Sequence, residues 1–216
     1  MRSFVVLGAG RFGESVAKTL YESGYEVLAI DQSEEIIQEL SDYVTHAVVG
    51  DVTDENVLKS LGVRNFDVAL VAIGGNMESS ILVTLLLKEM GVKYILAKAQ
   101  NALHAKVLSR VGADRVIFPE RDMGIRVAYN LVSTNVLDFI ELSPDYSIIE
   151  ITVPQQWEGK SLRELNIRAN YGINIMAIKN GTQINISPKA DDVIKHDDIL
   201  VLIGSNEDLN KLEKKQ

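Results

Sequence analysis

A chain of 216 residues, 46% apolar and 24% charged, can bury a full core, and its length falls between one large domain and two small ones. Its net charge of -8 argues against a nucleic-acid partner, because phosphate binding draws on an excess of lysine and arginine. With no cysteine in the chain, disulfides, thiolate catalysis and cysteine-ligated zinc are excluded.

"MRSFVVLGAG" opens directly into an apolar strand and lacks a secretory signal pattern, and no run reaches the roughly 20 apolar residues of a membrane helix. A soluble, cytoplasmic protein is expected. "SFVVLG" (3–8) reads as a buried parallel strand, followed by a helix from Arg11 to a glycine stop at Gly24. "YEVLAID" (25–31) is a second strand, 33–42 an acid-first helix, and "HAVVG" (46–50) a third strand. Thr53 is the expected N-cap of a helix over 53–62. Strands at 66–74, 93–99 and 114–120 then alternate with helices at 77–91 and 101–112. This alternation predicts right-handed βαβ units and an α/β fold of the Rossmann type, with a doubly wound parallel sheet.

Beyond 120 the pattern changes. Residues 121–142 read as one or two helices, and the chain then becomes strand-rich from "DYSIIEITV" (145–153). A short helix over 160–167, a hairpin over 172–186 with an Asn-Gly turn, a strand at 197–204 and a closing helix at 205–215 complete a small α+β domain. The expected division is 1–134 and 135–216.

The functional signal sits in "GAGRFGESVAKTL" (8–20), a GxGxxG that follows a strand, opens a helix and is answered by Asp31 at the end of the second strand. Gly8 permits the tight turn, Gly10 lets backbone N–H groups approach a phosphate, and Gly13 lets the helix pack on the first strand. The helix N-terminus supplies the dipole for the anion. Asp31 suits ribose hydroxyls and disfavours a 2′-phosphate. Asp51 ends the third strand on the same edge and fits either an adenine amino group or a plain turn. Ala72, Ile73 and Gly74 end the fourth strand beside the switch point, where their backbone can pass along a nucleotide or merely end the strand. Arg11 within the loop suits a phosphate oxygen, a terminal one included. Lys98 and Glu120 lie on the same edge as either rim charges or phosphate-side groups, the carboxylate then needing a bridging cation.

Hydride-transfer chemistry needs a proton donor and a substrate pocket. His46, His104 and His196 are expected at a strand start, in a helix and in a turn, none near the strand C-termini, and no Tyr–Lys pair accompanies a catalytic serine. An NAD-dependent oxidoreductase therefore stands as the alternative to a non-enzymatic nucleotide sensor.

"GRFG", "KAQN" and "PERDMG", with "THAVVGD", "NFDVALVAIGGN" and "NIRANYGINIMAIK", closely resemble the cytoplasmic regulatory subunits of bacterial Ktr/Trk potassium uptake systems. These consist of an RCK N-terminal nucleotide domain and a small RCK C-terminal domain, and the resemblance covers essentially the whole chain. It implies ATP or ADP, and NAD(H), in the Rossmann crevice. Arg11 then reaches the γ-phosphate in a neighbouring subunit's site, Lys98 lies near the phosphates, Asp31 holds the ribose and Asp51 the adenine side. Phe12, Gln32 and Val52, which adjoin them, belong to the same site. Glu120 is implied to help hold a divalent cation (Mg or Ca) or Na near the phosphates; Phe118 stands where many relatives carry histidine. The resemblance further implies an octameric ring on a membrane potassium-translocating subunit, at the cytoplasmic face of the membrane. In the C-terminal domain it implies cyclic di-AMP at a dimer interface, with Ile167, Arg168, Ala169, Asn174, Ile175 and Pro188 as contacts.

Overall fold

The structure is a computed structural model and describes residues 2–132 and 136–213. The chain forms two compact units, residues 1–120 and 121–216, whose division falls between Glu120 and Arg121.

In the first unit six strands lie in the order β3-β2-β1-β4-β5-β6. They are β1 (Ser3–Leu7), β2 (Glu26–Asp31), β3 (His46–Val49), β4 (Val68–Val71), β5 (Ile95–Lys98) and β6 (Arg115–Ile117), and every pairing is parallel. The order reverses between β1 and β4, which creates the crevice at their C-terminal ends. Helices α1 (Arg11–Glu22), α2 (Glu34–Leu40), α3 (Glu55–Ser60), α4 (Met77–Glu89) and α5 (Ala102–Val111) cover both faces. Successive residues of one strand feed opposite cores: Val5 and Leu7 join Leu58, Val83 and Leu87, while Val6 joins Ala17 and Leu40. At about 1.5–3 kcal/mol per fully buried aliphatic side chain, these two layers carry the sheet. The central strands β1, β2, β4 and β5 read as largely apolar runs because both faces are covered, while the edge strands β3 and β6 are only half-buried.

Thr53 does not cap α3. Asp54 does, accepting from the Asn56 N–H at 2.8 Å, while the Thr53 N–H and hydroxyl both donate to Asp51 at 2.8 and 2.6 Å. The Asp51 turn claims Thr53 first, so the helix starts one residue later.

The second unit begins with the helix α6 (Pro119–Val132), nearly all of which lies beyond Glu120. An antiparallel sheet follows in the order β10-β9-β11-β8-β7, built from β7 (Val136–Ser143), β8 (Tyr146–Thr152), β9 (Asn174–Asn180), β10 (Gln183–Asn185) and β11 (Ile199–Ser205). The helical reading of 136–142 is thus corrected to a strand. Register shifts between Val136 and Asp138 and between Glu141 and Ser143 break the two-residue alternation, leaving an apolar spacing that imitates a helix. Strands β8 and β11 do alternate, sending Ile149, Ile151, Leu200 and Leu202 into a core with Trp157 and Leu209. Trp157 meets Tyr171 edge to face, with ring centroids 5.5 Å apart.

Two further corrections are local. The β9–β10 hairpin turns on Gly181–Thr182, with Gly181 at φ +55, because Asn180 still pairs with Gln183. The helix expected over 160–167 is two pieces, α7 (Leu162–Leu165) and α8 (Ile167–Tyr171), separated by Asn166 at φ +40. Asn166 is the one non-glycine residue with positive φ among the described residues, and asparagine tolerates that conformation best after glycine. Ser161 and Glu164 form a capping box on α7. The closing helix is α9 (Asn206–Glu213).

Candidate nucleotide site

β1 ends at Leu7, and Gly8 turns the chain with φ +93 while its N–H donates to the Ile30 carbonyl at 2.9 Å. A Cβ on Gly8 would lie 3.2 Å from the Ile73 nitrogen, so the loop presses against the end of β4. At Gly13 a Cβ would overlap the Gly8 carbonyl oxygen and lie 3.2 Å from the Ala72 Cβ. Both positions require glycine for close approach, one with the added demand of a positive φ. Gly10, by contrast, meets nothing within 4 Å of a built Cβ. It stands at the N-cap of α1, open to the crevice.

The N-caps differ in a way that bears on ligands. Ser33, Asp54, Asn76 and Asn101 each cap their helices with a side-chain oxygen, whereas Gly10 offers none. The first-turn N–H groups of the 12-residue α1 therefore point into the crevice without a side-chain acceptor, at the positive end of the helix dipole. Arg11 is exposed beside them, with no ion pair among the described residues.

Asp31 is engaged on both oxygens. Oδ2 accepts from the Ala9 N–H at 2.7 Å and Oδ1 from the Ser33 N–H at 2.9 Å. The carboxylate thus braces the glycine loop, and each oxygen retains a lone pair for a ligand hydroxyl. Asp51 lies next to Asp31 through the Gly50 N–H, which donates to the Asp31 carbonyl at 2.9 Å. The two Thr53 hydrogen bonds, and a lesser one from Gln32, hold the Asp51 carboxyl below the usual carboxylate range. Asp51 is exposed and Val52 is buried beside it.

On the other side of the switch point, Lys98 ends β5 and is only 8% exposed. Its ammonium pairs with Glu120, whose side chain remains 69% exposed at the start of α6, and lies 5.9 Å from the Phe12 ring centroid. The lysine hydrogen bond draws the Glu120 carboxyl below its ordinary range. A Cβ on Gly74 would lie 3.4 Å from the Lys98 ammonium, so Gly74, Phe12, Lys98 and Glu120 form one corner. Among the described residues no three His, Asp or Glu side chains gather around a cation position. Glu120 could therefore serve a hard cation only as one ligand among phosphate oxygens and water.

Two neighbours escaped the sequence reading. The Gln100 side-chain amide donates to the Gly74 carbonyl, joining the ends of β4 and β5. His104 was expected away from the strand ends, yet its Nδ1 lies 3.3 Å from the Gln100 nitrogen at the end of β5. Gln100 lay within the motif "KAQN", but nothing in the spacing revealed where the histidine ring would turn.

The residues implied for a cyclic dinucleotide are less gathered. Arg168, Ala169 and Asn174 are exposed, and Ile175 and Pro188 are half-buried. Ile167, at 5% exposed, packs into the core with Trp157, so its side chain is turned away from solvent. α8 packs against β9, the strand that Asn174 begins, while the segment after Pro188 is bonded back to α7 through Ala190 and Asp192.

A TrkA-N domain model matches residues 4–119 and a TrkA-C domain model residues 147–216. The chain is 52% identical to Ktr system potassium uptake protein C of Bacillus subtilis, over 99% of this chain and 97% of that protein. It is 47% identical to Ktr system potassium uptake protein A of the same organism, over 98% and 96%. Among solved structures, the GsuK channel superposes with a TM-score of 0.70 at 21% identity, covering 99% of this chain and 39% of that one. No described helix is long and apolar enough to cross a membrane. The glycine loop, the switch-point crevice and the small C-terminal sheet thus sit in a chain that belongs to the TrkA-N/TrkA-C family, the RCK proteins of Ktr potassium uptake systems.

Proposed function

We propose that this chain is a nucleotide-sensing regulatory subunit of a potassium uptake system, and that residues 1–134 hold the nucleotide and 135–216 a cyclic dinucleotide. The observation that carries the reading is the crevice itself. An open helix N-terminus and Arg11 stand at the end of β1, with Asp31 on one side of them at the end of β2 and the Lys98–Glu120 pair on the other, beyond β4, at the end of β5.

That arrangement suits a ligand with a ribose at Asp31, phosphates over the first turn of α1, and an adenine toward Asp51 and Val52. ATP, ADP and NAD(H) share this layout. A phosphate arriving at Lys98 competes with Glu120 for the ammonium and frees the carboxylate. A cation bound there, Mg, Ca or Na, supplies neutralisation between Glu120 and the phosphate oxygens. Arg11, exposed and without an ion pair among the described residues, can meet the terminal phosphate in a neighbouring subunit of a ring, eight subunits in the proposed assembly. Nucleotide identity then biases the shape of that ring, and the ring acts on a membrane potassium-translocating partner. The bias is bounded by the difference in nucleotide affinity between the two shapes. In the second unit, the exposed Arg168 and Asn174 suit a phosphate and a base edge, and Ile175 and Pro188 suit adenine faces. Cyclic di-AMP fits that chemistry.

The reading is tested by calorimetry with ATP, ADP and NADH on the full chain, and by potassium flux after reconstitution with the membrane partner. Binding of ATP and ADP at one site, with faster flux in ATP, is expected. Flux indifferent to nucleotide identity overturns it.

A further inference from the structure

We propose that His104 is a positioning residue of the nucleotide crevice: a neutral imidazole that fixes the end of β5, where Lys98 and Gln100 are presented. The inference rests on the nucleotide reading above.

His104 lies in the first turn of α5, its own N–H bonded to the Asn101 cap at 2.9 Å, and its side chain is fully buried. Nδ1 receives the Gln100 N–H at 3.3 Å. A nitrogen that accepts from an N–H is unprotonated, so in the neutral ring Nε2 carries the hydrogen. Burial pushes the imidazole pKa down, and the positive end of the α5 dipole also disfavours a cation.

The cost of placing an imidazole here is visible. Nε2 is buried without a protein partner among the described residues, as is the Ser80 hydroxyl in the first turn of α4, which packs against α5. A leucine would fill similar space and leave no polar atom orphaned. Packing therefore does not account for a histidine at this position, whereas its one hydrogen bond does.

That bond ends on a segment tied from several directions. The Ala99 N–H donates to the Ile117 carbonyl at 2.9 Å, the Gln100 side chain donates to the Gly74 carbonyl, and Lys98 pairs with Glu120. The imidazole is the tie that reaches the Gln100 main chain from α5. Removing its acceptor frees the turn that sets where the Lys98 ammonium and the Gln100 amide point. His104 touches no ligand in this scheme and acts through Gln100.

The test uses the full-length protein with His104→Asn, His104→Gln and His104→Leu. The Asn oxygen can stand at the Nδ1 position, the Gln amide reaches toward Nε2 instead, and Leu offers no acceptor. ADP affinity is read by calorimetry, the Gln100 amide by hydrogen exchange, and folding by the thermal midpoint. His104→Asn should bind ADP within about threefold of wild type, and His104→Leu about tenfold or more weakly, the range of one lost hydrogen bond. The Gln100 amide should exchange faster in the Leu variant even though its thermal midpoint is not lower. If Leu fails to fold, His104→Gln should show the same weakening. Wild-type ADP affinity in the Leu or Gln variant, or equal weakening in Asn and Leu, overturns the proposal. Absence of ADP binding by the wild type removes the nucleotide reading. Faster Gln100 exchange in His104→Leu then still supports the hold on the end of β5, and unchanged exchange overturns it.

Discussion

β4 and the Val5–Leu7 stretch of β1 are apolar and buried between two layers of helices, whereas β8 and β11 bury every second residue and turn the others outward. This difference decides how each unit can build a site. A doubly wound parallel sheet leaves its helix N-termini and strand C-termini converging on one edge, so Gly10, Asp31, Gly74 and Lys98 meet there through topology alone. The antiparallel sheet has no such edge. Its candidate groups, Arg168 and Asn174, stand exposed on a short helix and on the start of a strand. Completing a binding site from them asks for a second surface, which a second copy of the chain supplies in the proposed reading.

Separate perturbations should expose this contrast. The largest effect is expected from Trp157→Ala, which empties the core of the second unit and should cost about 3–5 kcal/mol there. Residue-resolved hydrogen exchange should report the loss in β8 and β11, while ADP affinity stays within about twofold, as expected for a site built from the residues of the other unit with its own core. Next is Gly13→Ala. Its Cβ would overlap the Gly8 carbonyl, so the loop must shift, at about 1–3 kcal/mol of strain, and calorimetry should find nucleotide binding reduced at least tenfold. Cyclic di-AMP binding should survive this change. Its loss would mean that the two proposed sites are not separable.

Arg11→Ala should be gentler and selective. A charge-assisted contact of about 1.5–3 kcal/mol disappears with ATP only, so ATP should weaken at least tenfold and ADP much less. Equal losses would place Arg11 on a phosphate common to both nucleotides. The smallest effect is expected from acid. His104 has its pKa lowered by burial, so the unfolded chain takes up a proton there before the folded one does. Its contribution is complete above the ordinary value of 6.5 and is lost as pH falls from there toward the lower folded value. Asp138 in the second unit is shifted down mainly by its hydrogen bond from Arg126, and its contribution is lost only as pH falls through and below 3.8. Thermal unfolding of the first unit should therefore soften with acid below about 6.5, in the histidine range. His104→Asn should flatten that slope.

Legibility from sequence followed the same division. The central parallel strands were readable because a strand buried on both faces is a largely apolar run, and the edge strands β3 and β6, which are only half-buried, from their alternation with helices. β7 was not, because two bulges gave Phe139, Ile140 and Leu142 a helical spacing, and only Pro144–Asp145 marked the hairpin. At the candidate site, Gly8, Gly13, Asp31 and Lys98 could be placed at strand ends from their motifs. The second task of Asp31, bracing Ala9 and Ser33, depends on how the backbone folds back, and no residue type announces it. His104 was invisible for the same reason: a histidine in a helix carries no sign of which way its ring is buried. Ile167 shows the converse, a residue named from a motif whose side chain the helix turns inward.

The bare N-terminus of α1 has a consequence at the bench. Four amide hydrogens with no capping oxygen do not distinguish the phosphates of a nucleotide from phosphate or sulfate in a buffer. Such anions will occupy the glycine loop as competitors, and apparent nucleotide dissociation constants will climb with their concentration. Chloride-based buffers at the same ionic strength will give the tighter values, so affinities for this protein compare only within one anion.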